Sequence, residues 1–158
     1  MKEQPEVPGD STFTATQVVR KPIEEVFAFF SDPAKLEAIT PASLSFRILH
    51  RTTDEIASGT ELTYRLRLYG IPLTWRSLIC DWNPRRSFVD VQLQGPYAKW
   101  HHTHTFTPID QGTLVRDRVV YRLPLGRLGA WLGGRFVESD IKKIFRHRHE
   151  RVQQLLGT

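Results

Sequence analysis

The chain has 158 residues, the size of one ordinary domain, and its 40% hydrophobic and 25% charged content is that of a soluble globular protein. No apolar run approaches the ~20 residues that a membrane-spanning helix needs, and residues 1–10 have none of the apolar character of a secretory leader. The 22 Lys and Arg against 17 Asp and Glu leave a net charge of +5, carried by scattered arginines that read as a solvated basic surface, while a single cysteine, Cys80, excludes an internal disulfide and a cysteine metal cluster and makes a cytoplasmic setting the expectation.

Residues 1–11, rich in Glu and Pro, read as a disordered tail, and 12–158 as a single domain. Phe13, Ala15, Gln17 and Val19 alternate as one side of a first strand. Pro22 then fits the first turn of a helix, with Ile23, Val26, Phe27 and Phe30 at helical spacing. Asp32 followed by Pro33 signals a second, short helix with an N-capping carboxylate, and Pro41 ends it.

From Leu44 to Leu123 the pattern is that of strands. Leu62, Tyr64, Leu66 and Leu68 share one face, with Thr63, Arg65 and Arg67 opposite. After a break at 69–72, Leu73, Trp75, Ser77 and Ile79 continue an inner face. Asn83-Pro84 and Gly95-Pro96 mark further turns. In the strand after Gly95, Trp100, His102, His104 and Phe106 lie on one face. Two imidazoles between aromatic rings suit a polar, partly hydrated cavity better than a dry core. Short connections imply antiparallel pairing. If the chain turns at 109–112, Pro108 faces Thr113, Phe106 faces Val115, His104 faces Asp117, His102 faces Val119 and Trp100 faces Tyr121. His104 and Asp117 then oppose each other on the inner face.

Val137, Ile141, Ile144, Phe145, Val152 and Leu155 repeat at spacings of three and four, a long C-terminal helix with Arg148 on or near its apolar stripe. The glycines at 126, 129, 133 and 134 lack the Lys-Ser/Thr ending of a phosphate loop. They are expected to form a flexible approach to that helix, a lid carrying Leu125, Leu128, Trp131 and Leu132. The order is strand, two short helices, six antiparallel strands, long helix: an α+β domain whose curved sheet leaves space beneath the helix.

That order, with certain residues, resembles the helix-grip fold of the SRPBCC superfamily (START-like, birch-pollen-allergen-like). Residues 30–41, FSDPAKLEAITP, are similar to the short-helix signature of its polyketide cyclase/dehydrase-related members. Gly95-Pro96-Tyr97 with Trp100, His102, His104 and Phe106 resembles one bacterial subgroup of presumed ligand binders, as do residues 117–124 and 144–149. A tyrosine would be expected where His147 stands. The resemblance implies a sheet of about seven strands wrapped on the long helix, and a cavity for a small, largely apolar molecule such as a lipid, an isoprenoid or a polyketide.

The residues expected to contact that ligand are Tyr64, Leu66, Trp75, Trp100, His102, His104, Asp117, Tyr121 and Arg148. An enzyme of cyclase or dehydratase type is the alternative. It would use His104 as base, oriented by Asp117, with Tyr121 or Arg148 stabilising an enolate oxygen. A non-catalytic protein-interaction module is a third reading. A metal site at His101, His102 and His104 lacks a third ligand in the right place, so neither metal nor cofactor is expected. No basic-aromatic motif points to nucleic acid. Transient membrane contact through Trp131 and nearby arginines is the one further partner considered, and the oligomeric state is left open.

Overall fold

The computed structural model describes residues 7–157, except for the side chains of 126–132. Seven strands form one antiparallel sheet in the order β1-β7-β6-β5-β4-β3-β2. They are β1 (Ser11–Val19), β2 (Arg47–Arg51), β3 (Glu61–Leu68), β4 (Ile71–Asn83), β5 (Ser87–Gln94), β6 (Lys99–Ile109) and β7 (Gly112–Arg122). Helices α1 (Ile23–Ser31) and α2 (Pro33–Ala38) follow β1, and α3 (Gly126–Leu156) closes the chain. This is the helix-grip architecture expected.

Local chemistry accounts for the short elements. Asp32 caps α2 by accepting from the Ala34 backbone N–H at 2.9 Å, with Pro33 in the first helical turn. The β3–β4 hairpin turns on Tyr69 and Gly70, both at positive φ (54° and 79°), in a two-residue loop of the kind that matches the right-handed twist of its strands. At Gly112 a Cβ would stand 2.3 Å from the Val19 carbonyl oxygen, so only glycine lets β7 begin against the end of β1.

Three expectations change. The tail ends sooner than residue 11: Ser11 already pairs with Tyr121 in the sheet, and the Asp10 carboxylate accepts from Lys99 at 2.8 Å and from Arg122 at 3.0 Å. Residues 44–46 are not strand, because Ala42–Leu44 forms a single 3₁₀ turn and Ser45 takes a left-handed conformation before β2. The glycine-bearing approach at 126–134 is the first part of α3, whose capping residue Leu125 stands at φ 66°. The side chains proposed for the lid and for membrane contact, Leu128, Trp131 and Leu132, lie outside the described residues. No helix among the described residues is long and apolar enough to cross a membrane.

The inner face of the sheet is filled unevenly. At one end α1 drives Val26, Phe27 and Phe29 into the sheet, against Val19, Phe88, Phe106, Val115 and the Val152 of α3. A second cluster places Ile141 and Phe145 of α3 over Val119 and Tyr121 of β7. Beyond it, toward β3 and β4, helix and sheet stand apart.

Candidate functional site

A cavity of about 200 Å³ opens in that gap. Its walls are mainly apolar and aromatic. Leu62, Tyr64, Leu66 and Leu68 come from β3, and Trp75, Ser77 and Ile79 from β4, as the two alternating faces require. Trp100 and the histidines come from β6, and Ile144, Phe145 and Arg148 from α3. Apolar walls with a few convergent polar groups are the usual composition of a small-molecule site.

The register of β6 on β7 is the one the sequence implies. His104 pairs with Asp117, His102 with Val119, Trp100 with Tyr121 and Phe106 with Val115. The turn is tighter than four residues, since Ile109 and Gly112 themselves pair across Asp110 and Gln111. On the other side of β6, Asp90 of β5 pairs with His102. Two carboxylates therefore flank two imidazoles.

The four side chains form a closed ring. His102 places Nε2 2.9 Å from Asp117 Oδ1 and Nδ1 3.3 Å from Asp90 Oδ2. His104 places Nε2 3.2 Å from the same Asp90 oxygen and Nδ1 2.9 Å from the same Asp117 oxygen. That last pair is near but poorly aligned, and His104 Nδ1 is buried without a hydrogen-bond partner. Both histidines and Asp117 are buried, and the Asp90 side chain is only 17% exposed. A neutral imidazole has one N–H, so His102 can donate to both carboxylates only as imidazolium.

The electrostatics agree with that assignment. Burial favours the neutral acids, but hydrogen bonds from His102 and His104 outweigh it and hold Asp90 and Asp117 well below the usual carboxylate range. Burial alone would lower the pKa of His102, and its bonds to Asp117 and Asp90 reverse this and raise it. Beside the ring, Ser77 Oγ accepts from Trp75 Nε1 at 3.0 Å and shares a 2.8 Å hydrogen bond with the Tyr64 hydroxyl. Burial, with the Asp90 charge adding to it, pushes the Tyr64 hydroxyl up and keeps it protonated.

Asp90 supplies the third ligand that the sequence reading of a metal site lacked. One ligating atom each from Asp90, His102 and His104 lies within 4.8 Å of the others. The ring stacking argues against a shared ion. The two imidazole centroids are 3.8 Å apart at 38°, whereas metal–nitrogen bonds of ~2.0–2.1 Å in a tetrahedral site would hold the centroids about 5 Å apart. The nitrogens that would bind an ion are also the ones facing Asp90. The arrangement fits an ion-paired stack better than a metal centre.

Of the residues expected at the ligand, Tyr64, Leu66, Trp75, Trp100, His102, His104 and Arg148 line the cavity together. Asp117 and Tyr121 do not. Asp117 sits behind the histidines and holds them from below. Tyr121, 3% exposed, is covered by α3 and its hydroxyl bonds to Ser11, so it has no access to an enolate in the cavity. Asp90 is the functional residue that the sequence reading missed. Its alternation with Phe88 and Gln92 was visible, but Val89 and Val91 offer an equally apolar opposite face.

A family model described as polyketide cyclase / dehydrase and lipid transport matches residues 11–157. No curated protein matches the chain. Among solved structures, TTHA0849 from Thermus thermophilus is similar at 17% identity and a TM-score of 0.70, over 92% of this chain and 99% of that one. A START superfamily protein from Mycobacterium smegmatis is similar at 16% identity and a TM-score of 0.68, over 91% and 98%. The di-domain ARO/CYC StfQ of the steffimycin biosynthetic pathway is similar at 16% identity and a TM-score of 0.69, with 94% of this chain covering 52% of that protein. Identities this low speak for the fold.

Proposed function

The chain belongs to the polyketide cyclase / dehydrase and lipid-transport family of START-like proteins, and from that premise we propose that it binds and carries a small, largely apolar molecule between the sheet and α3. The observation that carries this reading is the cavity itself, mainly apolar and aromatic on its walls with a few polar groups, the His–Asp ring and Arg148 among them. Carriage is favoured over catalysis by the state of the histidines. A general base must offer a free lone pair within reach of the substrate. His102 has both nitrogens against carboxylates, and His104 Nε2 is engaged by Asp90. The ring reads as a fixed polar contact for a ligand oxygen.

The cyclase or dehydratase alternative has one observation in its favour. His104 Nδ1 has no aligned partner, so a small rotation of the ring would free a nitrogen that Asp117 orients. Tyr121 drops out of that scheme, leaving Arg148 as the group able to meet enolate oxygen. A protein-interaction module has no comparable support, because a filled interior would be its signature.

Binding is tested with N-phenyl-1-naphthylamine, a neutral probe that fluoresces when it leaves water. Saturable one-to-one uptake is expected, and Leu66→Trp, which fills the cavity, should abolish it. Uptake that survives this substitution would place the probe elsewhere and sink the reading. Native mass spectrometry of gently purified protein would then name the natural ligand class.

A further inference from the structure

Arg148 is the cation that the cavity does not neutralise. It projects from α3 at the cavity wall, with its guanidinium carbon 5.0 Å from the centroid of the Phe145 ring. Its Nε is buried and has no hydrogen-bond partner, and Arg148 joins no ion pair among the described residues. Two other arginines in part-buried positions are ion-paired, Arg122 with Asp10 at 3.0 Å and Arg76 with Glu61 at 2.8 Å, and part-buried Arg151 has hydrogen-bond acceptors in Ala38 O and Gln154 Oε1. Asp90 at the cavity wall and Asp117 behind it are committed to the histidines, and Asp32, the other carboxylate in the lining, caps α2 by accepting from the Ala34 N–H at 2.9 Å.

A guanidinium drawn toward an apolar space is costly unless something compensates its charge. The face of Phe145 does so only in part, since the attraction of one ring for a cation is far weaker than that of a full counter-charge. The missing partner is an anion with two oxygens in a plane, the shape a guanidinium fork receives best. Tyr64 lies within the electrostatic reach of Arg148, and its hydroxyl is a second donor for the same head group.

Resting on the carrier reading above, we propose that the cavity selects an apolar acid, whose carboxylate pairs with Arg148 while its hydrocarbon body lies among Leu62, Leu66 and Trp75. The His–Asp ring already holds two carboxylates of its own, Asp90 and Asp117, against its histidines, so it leaves that third carboxylate to the arginine.

Decanoic acid and its methyl ester, matched in chain and differing in charge, separate the two claims when each displaces N-phenyl-1-naphthylamine at neutral pH. The acid is expected to bind about tenfold tighter than the ester to the natural protein, a fold-change worth about 1.4 kcal/mol. Arg148→Met should remove that preference, bringing the acid-to-ester affinity ratio from about ten to about one, and Arg148→Lys should restore part of it. Equal affinity of acid and ester for the natural protein overturns the acid subsite and leaves the carrier reading standing. So does a preference that survives Arg148→Met, with circular dichroism showing the variant folded. A protein that takes up none of the three molecules overturns the carrier reading and this inference with it.

Discussion

The two ends of one sheet face are finished in opposite ways. Under α1, Val19, Val26, Val115 and Val152 are completely buried and Phe27, Phe88 and Phe106 close around them edge to face. Toward β3 and β4 the side chains are no smaller, for Trp75, Trp100 and Tyr64 stand there, yet they enclose a cavity. The difference lies in what covers the sheet. A short helix plugs the first end, while α3 bridges the second without reaching its floor. Residue size alone does not decide whether an aromatic face becomes core or cavity wall.

The largest effect is expected at the boundary between the ends. Asp117→Asn leaves buried imidazoles without their carboxylate and should cost about 3 kcal/mol or more in urea unfolding. It should also change the pH profile. The Asp90 and Asp117 carboxyls are lowered in the fold, so their contribution is complete above the unfolded value near 3.8 and falls away as the pH drops below it. His102 is raised, so its contribution is complete below 6.5 and is lost as the pH climbs through the folded value. Stability from the ring should therefore be greatest between about pH 4 and 6.5. The variant should shrink the decline above pH 6.5, since only Asp90 then raises His102, and an alkaline limb of unchanged size would show that the Asp117 bond does not hold His102 as imidazolium.

Two truncations then compare the ends directly. Phe106→Ala in the dry end should cost about 3–5 kcal/mol, the usual penalty for a large buried ring. Leu66→Ala on the cavity wall should cost about 1–2 kcal/mol, because an existing space already deprives that side chain of part of its packing. Similar costs at the two positions would mean that the cavity collapses around its own walls. Ser77→Ala, which removes the bridge between Tyr64 and Trp75, should change stability by only ~1 kcal/mol. Zinc should move the melting temperature by less than about 1 °C, since an ion that does not bind the native state cannot stabilise it. A zinc-dependent rise of several degrees would reopen the metal reading of Asp90, His102 and His104.

Much of this was legible in the residues. The turn at 109–112 and strict alternation fixed which side chains oppose each other on β6 and β7, including His104 and Asp117. The Asp-Pro start of α2 and the stripe on α3 were equally plain. Asp90 was not, for a physical reason: Phe88 and Val89 are both buried, so alternation on β5 does not reveal which face is inward. Register shifts, with an extra residue in β5 at Leu93 and another in β4 between Cys80 and Asn83, further obscure the count across that pair. Tyr121 and Asp117 show a second limit. Strand parity puts a side chain on the inner face, but only the position of α3, which no local pattern encodes, decides whether it meets the cavity or lies beneath a helix.

The hairpin tip that begins with Tyr69 reaches across to α3. Its hydroxyl donates to Asp140 at 2.6 Å and its ring stacks on Phe136 at 5.1 Å, beside Leu68 and Ile141 of the cavity wall. Tyr69 and Phe136 are both more than half exposed. A solvent-facing hydrogen bond of this kind is worth only about 1–1.5 kcal/mol, so it is broken roughly a tenth of the time. Such a clasp adds little to how tightly a cargo is held at equilibrium. On the carrier reading its effect is on residence time: Tyr69→Phe should speed uptake and release together, leaving their ratio almost where it was.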